Sequence, residues 1–83
     1  MSPNELIDKI ADVYEMIIKI GDRRFTICDE DEKGFSIAEY DKPETEKHFD
    51  GPRSLANEYV IDGQRLIDLA EKITIIDYTG FVL

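Results

Sequence analysis

The chain has 83 residues, a formal net charge of −9, 42% hydrophobic residues and 35% charged residues. This composition excludes a disordered tail, which has too few apolar residues to fold, and a membrane protein, whose helices need about 20 consecutive apolar residues. A chain of this length buries only roughly 60% of its unfolded surface, so we expect a single domain over residues 1–83 with modest stability.

The first predicted element is a helix that begins with a capping box. Ser2 and Glu5 stand at the spacing that lets the two side chains and backbone amides bond reciprocally, and apolar residues recur at helical steps from Leu6 onward. No Gly or Pro ends this helix. Its end therefore stays open between a position near Val13 and one at Ile18.

Three strands of an antiparallel meander are predicted next, because the apolar residues then alternate with a period of two. Gly21-Asp22 has the composition of a hairpin turn that needs a positive φ at its first position. An acidic loop ending at Gly34 leads to the third strand. Residues 41–51 follow as a polar connection without a period, and we expect them to be the most mobile internal segment.

Two short helices and a last strand complete the predicted order. Pro52 suits the first position of the second helix, and Asp62 either caps a third helix or turns a tight hairpin with Gly63. The β-branched residues 73–78 predict the final strand. The predicted fold class is α+β: one small domain in the order α-β-β-β-α-α-β, with a mostly antiparallel sheet of three to four strands and helices packed on one face.

The acidic residues indicate what kind of partner the chain could bind. A net charge of −9 argues against direct nucleic-acid binding, which requires a basic face, and favours another protein with a basic surface. On a helix, Asp8, Asp12 and Glu15 would line one side. The predicted interaction surface combines this helix row, the following acidic loop and the polar connection over residues 41–50. Its residues in the helix row and the loop are Asp8, Asp12, Glu15, Asp29, Glu30, Asp31 and Glu32.

The acidic loop does not satisfy the requirements of a calcium site. Asp29 and Asp31 match the first and third positions of a calcium loop, and Gly34 matches the sixth. Lys33 stands where the fifth ligand belongs, and Tyr40 stands where a bidentate Glu belongs. We therefore interpret this stretch as a charged hairpin loop.

No catalytic arrangement is recognisable either. Cys28 and His48 are single residues of their types, and a zinc site would need two carboxylates or a second chain besides them. Arg23 at the hairpin tip is expected to neutralise acidic surroundings, and Glu39 at a strand end is expected to be exposed. The sequence predicts no catalytic residue, no metal site and no cofactor, and we expect a protein that is not an enzyme.

Some apolar residues are hard to bury in so small a domain. Phe49 lies within the polar connection, and Phe81 and Leu83 belong to an apolar chain end. These residues predict a contact surface. The alternative function is thus a structural or assembly subunit that pairs through a sheet edge and this tail, with a homo-oligomer as one possible product.

The cysteine count and the first residues predict the compartment. A single cysteine cannot form an internal disulfide, and the acidic N-terminal segment lacks the basic region of a signal peptide. We expect a cytoplasmic protein without a membrane partner.

The leading functional hypothesis is a non-enzymatic interaction protein that presents an acidic face to a basic partner. In size, charge and architecture the chain resembles small acidic inhibitors carried by bacterial mobile elements, such as phage inhibitors of CRISPR nucleases and toxin-immunity proteins. The resemblance implies a protein-binding or inhibitory role and carries over no residue, and a fold by itself does not imply a function.

Overall fold

The structure is a computed structural model and describes residues 1–80. Its elements, in chain order, are α1 (Pro3–Asp12), β1 (Val13–Ile20), β2 (Arg23–Asp29), a 3-10 turn (Asp31–Lys33), β3 (Phe35–Glu39), β4 (Lys42–Phe49), α2 (Pro52–Glu58), β5 (Val60–Ile61), β6 (Gln64–Arg65), a 3-10 helix (Leu66–Lys72) and β7 (Ile73–Gly80).

Helix α1 begins at the predicted capping box and ends at the earlier of the two predicted positions. Ser2 Oγ accepts a hydrogen bond from the Glu5 amide at 3.2 Å, and Glu5 Oε1 accepts one from the Ser2 amide at 3.4 Å. Val13 already has extended backbone angles. The β-branched and aromatic residues after Asp12 favour a strand, and pairing on both sides of β1 holds them in one.

The main sheet has five antiparallel strands in the order β4-β3-β2-β1-β7. Strands β1 to β4 form a meander, and the chain then crosses one face through α2 and the 3-10 helix before β7 pairs with β1. The first turn has the predicted geometry, since Gly21 has a φ of 60°. The α+β class and the helices packed on the sheet are confirmed, and the sheet has one strand more than predicted.

The additional strand is β4, which corrects the expectation of an irregular polar connection over residues 41–51. Its pattern escapes hydrophobic periodicity because β4 is an edge strand whose residues are mostly exposed. Its backbone pairs with β3, and a side chain secures the turn: Thr45 Oγ1 accepts from the Glu39 amide at 2.8 Å and donates to the Lys42 carbonyl at 2.7 Å. Pro43 is tolerated because it lies on an edge.

The segment around Asp62 combines features of both predicted alternatives. Asp62 and Gly63 both have positive φ and turn a short hairpin between β5 and β6. The helix after it is a 3-10 helix capped at Arg65 rather than an α-helix capped at Asp62. Two consecutive positive φ angles are typical of the tight hairpin turn that Asp-Gly favours.

The core lies between the helices and one face of the main sheet. Leu6 and Ile10 of α1, Leu55 of α2 and Leu66 of the 3-10 helix are fully buried there, against Phe25 of β2. The ring of Phe25 also meets the ring of Tyr59 edge-on, with centroids 6.2 Å apart. In residues 1–80, no helix has the length and hydropathy needed to cross a membrane.

Candidate functional site

The helices cover one face of the main sheet, and within residues 1–80 no helix packs on the other. Alternation along β2 illustrates the difference, because Phe25 and Ile27 are fully buried whereas Thr26 and Cys28 are half-buried. The registers show which residues of the other strands lie on the same side as Thr26 and Cys28. We call this surface the open face, and its residues are Glu15, Ile17, Lys19, Arg24, Thr26, Cys28, Ser36, Ala38, Glu46, His48, Thr74, Asp77 and Thr79.

Carboxylates gather at one end of the open face. Glu15 of β1 lies opposite Cys28 of β2, Cys28 lies opposite Ser36 of β3, and Ser36 lies opposite His48 of β4. Acidic side chains from three separate parts of the chain lie around this row. We call them the acidic end: Glu15, Glu30 and Glu46.

Cys28 lies at the centre of the acidic end, and the negative charges there affect the ionisation of its thiol. Its Sγ is 3.9 Å from Oε2 of Glu15. Burial raises the pKa of the Cys28 thiol, and the negative charges of Glu15, Glu30 and Glu46 raise it further. A raised pKa keeps the thiol protonated, which is the opposite of the activation that a nucleophilic cysteine needs.

His48 lies between two of these glutamates. Its Nδ1 is 2.9 Å from Oε1 of Glu30, and its Nε2 is 3.5 Å from Oε2 of Glu46. The three side chains place one potential ligand atom each within 4.8 Å of one another. This arrangement could not be predicted from the sequence, because residue 30 follows β2 whereas residues 46 and 48 belong to β4, and β3 lies between the two strands.

Basic groups occupy the opposite end of the sheet. Lys19 and Arg24 face each other on the open face. Arg23, on the covered side, bonds Glu39 and also reaches Asp62 at 2.9 Å, so it neutralises acidic surroundings as expected. Glu39 was expected to be exposed, but its side chain is only 15% exposed because the Arg23 guanidinium covers it.

The predicted acidic surface is divided between two sides of the molecule. Asp8 and Asp12 are exposed on α1, which packs on the covered side of the sheet, and Glu15 belongs to β1. The expected single helix row is therefore wrong at Glu15, since the helix ends before it. Of the loop residues, Glu30 joins the acidic end. Asp29 ends β2, where its Oδ1 accepts from the Asp31 amide, and Asp31 and Glu32 are exposed in the 3-10 turn.

The apolar residues proposed for contact have different positions. Phe49 is partly buried against the core, and its ring meets that of Tyr59 edge-on at 6.3 Å. Much of its surface is therefore used in packing, which sequence alternation did not predict because β4 was not recognised. Phe81 and Leu83 lie outside the described residues.

A groove runs beside β7, the edge strand opposite β4. Its volume is about 180 Å³, and its walls come from α1, β1 and β7: Lys9, Asp12, Val13, Ile75 and Tyr78. Tyr78 is 64% exposed and Ile76 is 45% exposed. Among the described strands β7 pairs with β1 alone, so its outer backbone groups lie at the sheet edge.

Comparison with known proteins assigns the chain to no family, since no family model, no curated protein and no solved structure matches it.

Proposed function

We propose that this protein is a non-enzymatic interaction module that binds a basic segment of another protein at the acidic end of its open face. The observation that carries the proposal is the convergence of Glu15, Glu30 and Glu46 from three separate parts of the chain. An inhibitor or an immunity protein would act through such a surface.

The surroundings of these carboxylates suit an extended, lysine- or arginine-rich segment. Half-buried Cys28 and buried Ser36 form a low floor between the strands, so a peptide backbone can approach the sheet closely. The charges on the rim attract a cationic partner over a distance and favour its encounter rate. Lys19 and Arg24 at the far end repel it, which fixes where on the open face the partner lies.

The test is binding of a fluorescein-labelled oligoarginine peptide, followed by fluorescence anisotropy. The variant Glu15→Gln/Glu30→Gln/Glu46→Gln should weaken binding by about tenfold or more. Raising the salt from about 20 mM to about 300 mM, which shortens the screening length from roughly 20 Å to roughly 6 Å, should weaken binding to the unaltered protein steeply.

A matched control separates a site from net charge. The variant Asp8→Asn/Asp12→Asn/Glu58→Gln removes the same number of charges from exposed positions on α1 and α2, away from the open face. It should retain nearly full affinity. Equal weakening by both variants would mean that the peptide responds to overall charge, and the proposal would fail.

A second candidate function is assembly through the edge of β7, and the groove beside this strand favours it. An edge strand with exposed apolar side chains is a template for pairing with another strand. Ile76 and Tyr78 provide such side chains next to the groove. A second copy of the chain would pair antiparallel about a two-fold axis and bury the same residues on both sides.

Salt distinguishes the two candidates. Two chains of net charge −9 repel each other, so self-association should strengthen as salt rises, whereas binding of a basic peptide should weaken. Sedimentation velocity of the unaltered protein and of Ile76→Lys tests this. The control is Val60→Lys, because Val60 is 54% exposed on the small hairpin. A protein that stays monomeric at high salt and high concentration would exclude the second candidate.

A further inference from the structure

His48 has a carboxylate beside each of its ring nitrogens. Oε1 of Glu30 is closed off from water and has no hydrogen-bond partner within residues 1–80, and Nδ1 of His48 lies 2.9 Å from it. A neutral imidazole has one N–H. When a cation takes the lone pair of Nε2, that proton is on Nδ1, on the side of Glu30, and Glu46 lies on the side of the cation.

The distance between these two acceptors suits a shared cation. Nε2 of His48 and Oε2 of Glu46 are 3.5 Å apart, which is long for a hydrogen bond. Two ligands of a tetrahedral zinc ion, with bonds of about 2.0–2.2 Å, are separated by about 3.4 Å. The observed separation is therefore that of two neighbouring zinc ligands.

The position of Glu30 supports the same interpretation. Histidines that bind metals usually donate the other ring N–H to a carboxylate, which fixes the tautomer and the ring orientation. Glu30 is placed for this role in a metal-bound state, because its Oε1 lies 2.9 Å from Nδ1, and it belongs to a different part of the chain from β4.

We propose that His48 and Glu46 bind a divalent cation of the zinc class, with Glu30 as the positioning residue for His48. The ion accepts the Nε2 lone pair and one Glu46 oxygen, and water or a group from a bound partner completes its coordination. This site does not depend on the proposed binding of a basic segment.

The single histidine makes the test direct. A zinc titration of the untagged protein is followed through the imidazole signals in a ¹H–¹⁵N NMR spectrum, where His48 is the one residue of its type. Isothermal titration calorimetry measures the affinity in parallel. We expect saturable shifts of the ring signals, with Nε2 as the nitrogen that binds the metal. His48→Gln and Glu46→Gln should each lower the affinity by at least about tenfold, and Glu30→Gln by roughly 10- to 100-fold.

Two control variants exclude other origins of zinc binding. Glu32→Gln removes a nearby exposed carboxylate outside the cluster, and Cys28→Ser removes the thiol; both should leave the affinity unchanged. Imidazole signals that do not move in excess zinc would overturn the proposal. So would equal affinity in His48→Gln, or loss of binding in Cys28→Ser. All of these variants alter half-buried or exposed side chains, and a melting curve of each verifies that it is folded.

Discussion

The guanidinium of Arg23 binds the carboxylate of Glu39 through two parallel hydrogen bonds. Nη2 donates to Oε1 at 2.8 Å, and Nε donates to Oε2 at 3.3 Å. The two residues lie in adjacent segments of β2 and β3, where Phe25 faces Glu39. The Arg23 guanidinium carbon also lies 5.4 Å from the centroid of the Phe25 ring. This pair closes the core at the basic end of the sheet.

The first prediction concerns the pH dependence that this pair gives to stability. The hydrogen bond from Arg23 lowers the pKa of Glu39 below its ordinary value of 4.5. The resulting stabilisation is present in full above the pKa of the unfolded state and is lost as the pH falls through the lower folded value. Glu39→Gln should therefore be less stable than the unaltered protein at neutral pH and approach it in stability in acid.

Urea unfolding of both proteins between about pH 7 and about pH 3 measures this difference. Glu32→Gln is the control, because Glu32 is exposed in the 3-10 turn. A stability difference between Glu39→Gln and the unaltered protein that stays constant over the whole range would show that the carboxylate does not stabilise through its charge.

The second prediction concerns Gly34, where the backbone has a φ of 87° and a ψ of −141°. That region is accessible almost exclusively to glycine, and a Cβ atom there would collide with the Phe49 carbonyl. Gly34→Ala should cost about 3 kcal/mol or more in the free energy of unfolding. Gly63→Ala also has a positive φ but open space around it, so it should cost about 1 kcal/mol. Equal losses would mean that β4 moves away to make room.

The third prediction uses Cys28 to report the potential of the acidic end. Its rate of alkylation by neutral iodoacetamide should reach half its maximum above pH 9.0, the ordinary pKa of the thiol. Neutralising Glu15, Glu30 and Glu46 together should shift this midpoint to lower pH, because fewer negative charges then oppose the thiolate. Part of the rise in pKa should remain in the triple variant, because burial also raises the pKa of Cys28. A midpoint that the triple variant leaves unchanged would show that burial alone raises this pKa.

The fourth prediction concerns β4, the strand that the sequence did not reveal. Its amides that bond to β3 should exchange with solvent more slowly than those of the 3-10 turn Asp31–Lys33, because pairing and the Thr45 side chain hold the strand. Hydrogen exchange followed by NMR resolves the individual amides. Exchange throughout residues 42–49 at the rate of an unfolded peptide, with β1 and β2 protected, would restore the mobile connection expected from the sequence.

Strand β4 was not predicted, and the reason is physical. Helix α1 and the meander from β1 to β3 could be predicted because each buries one face, and burial leaves a periodic apolar pattern. Strand β7 could be predicted from its β-branched residues. An edge strand exposed on both faces leaves no such pattern, and its evidence lies in backbone pairing and one Thr45 side chain. Neither the pairing nor the hydrogen bonds of Thr45 can be predicted from a pattern of apolar residues.

The candidate site could be predicted only in part for the same reason. Excess acidity and the segment from Asp29 to Glu32 were visible in the sequence. The grouping of Glu15, Glu30 and Glu46 depends on which strands are neighbours and on their register, and a shift by one residue would move a side chain to the other face. The contacts of His48 likewise could not be predicted without knowing where β4 lies.

We propose the acidic end as the surface that binds a basic partner. The most direct measurement is a ¹H–¹⁵N NMR titration of the labelled protein with an unlabelled oligoarginine peptide. The account predicts that the largest amide shifts lie at Glu15, Cys28 and His48, with small shifts at Asp8 and Asp12. Shifts concentrated on α1, or spread evenly over every acidic segment, would contradict it.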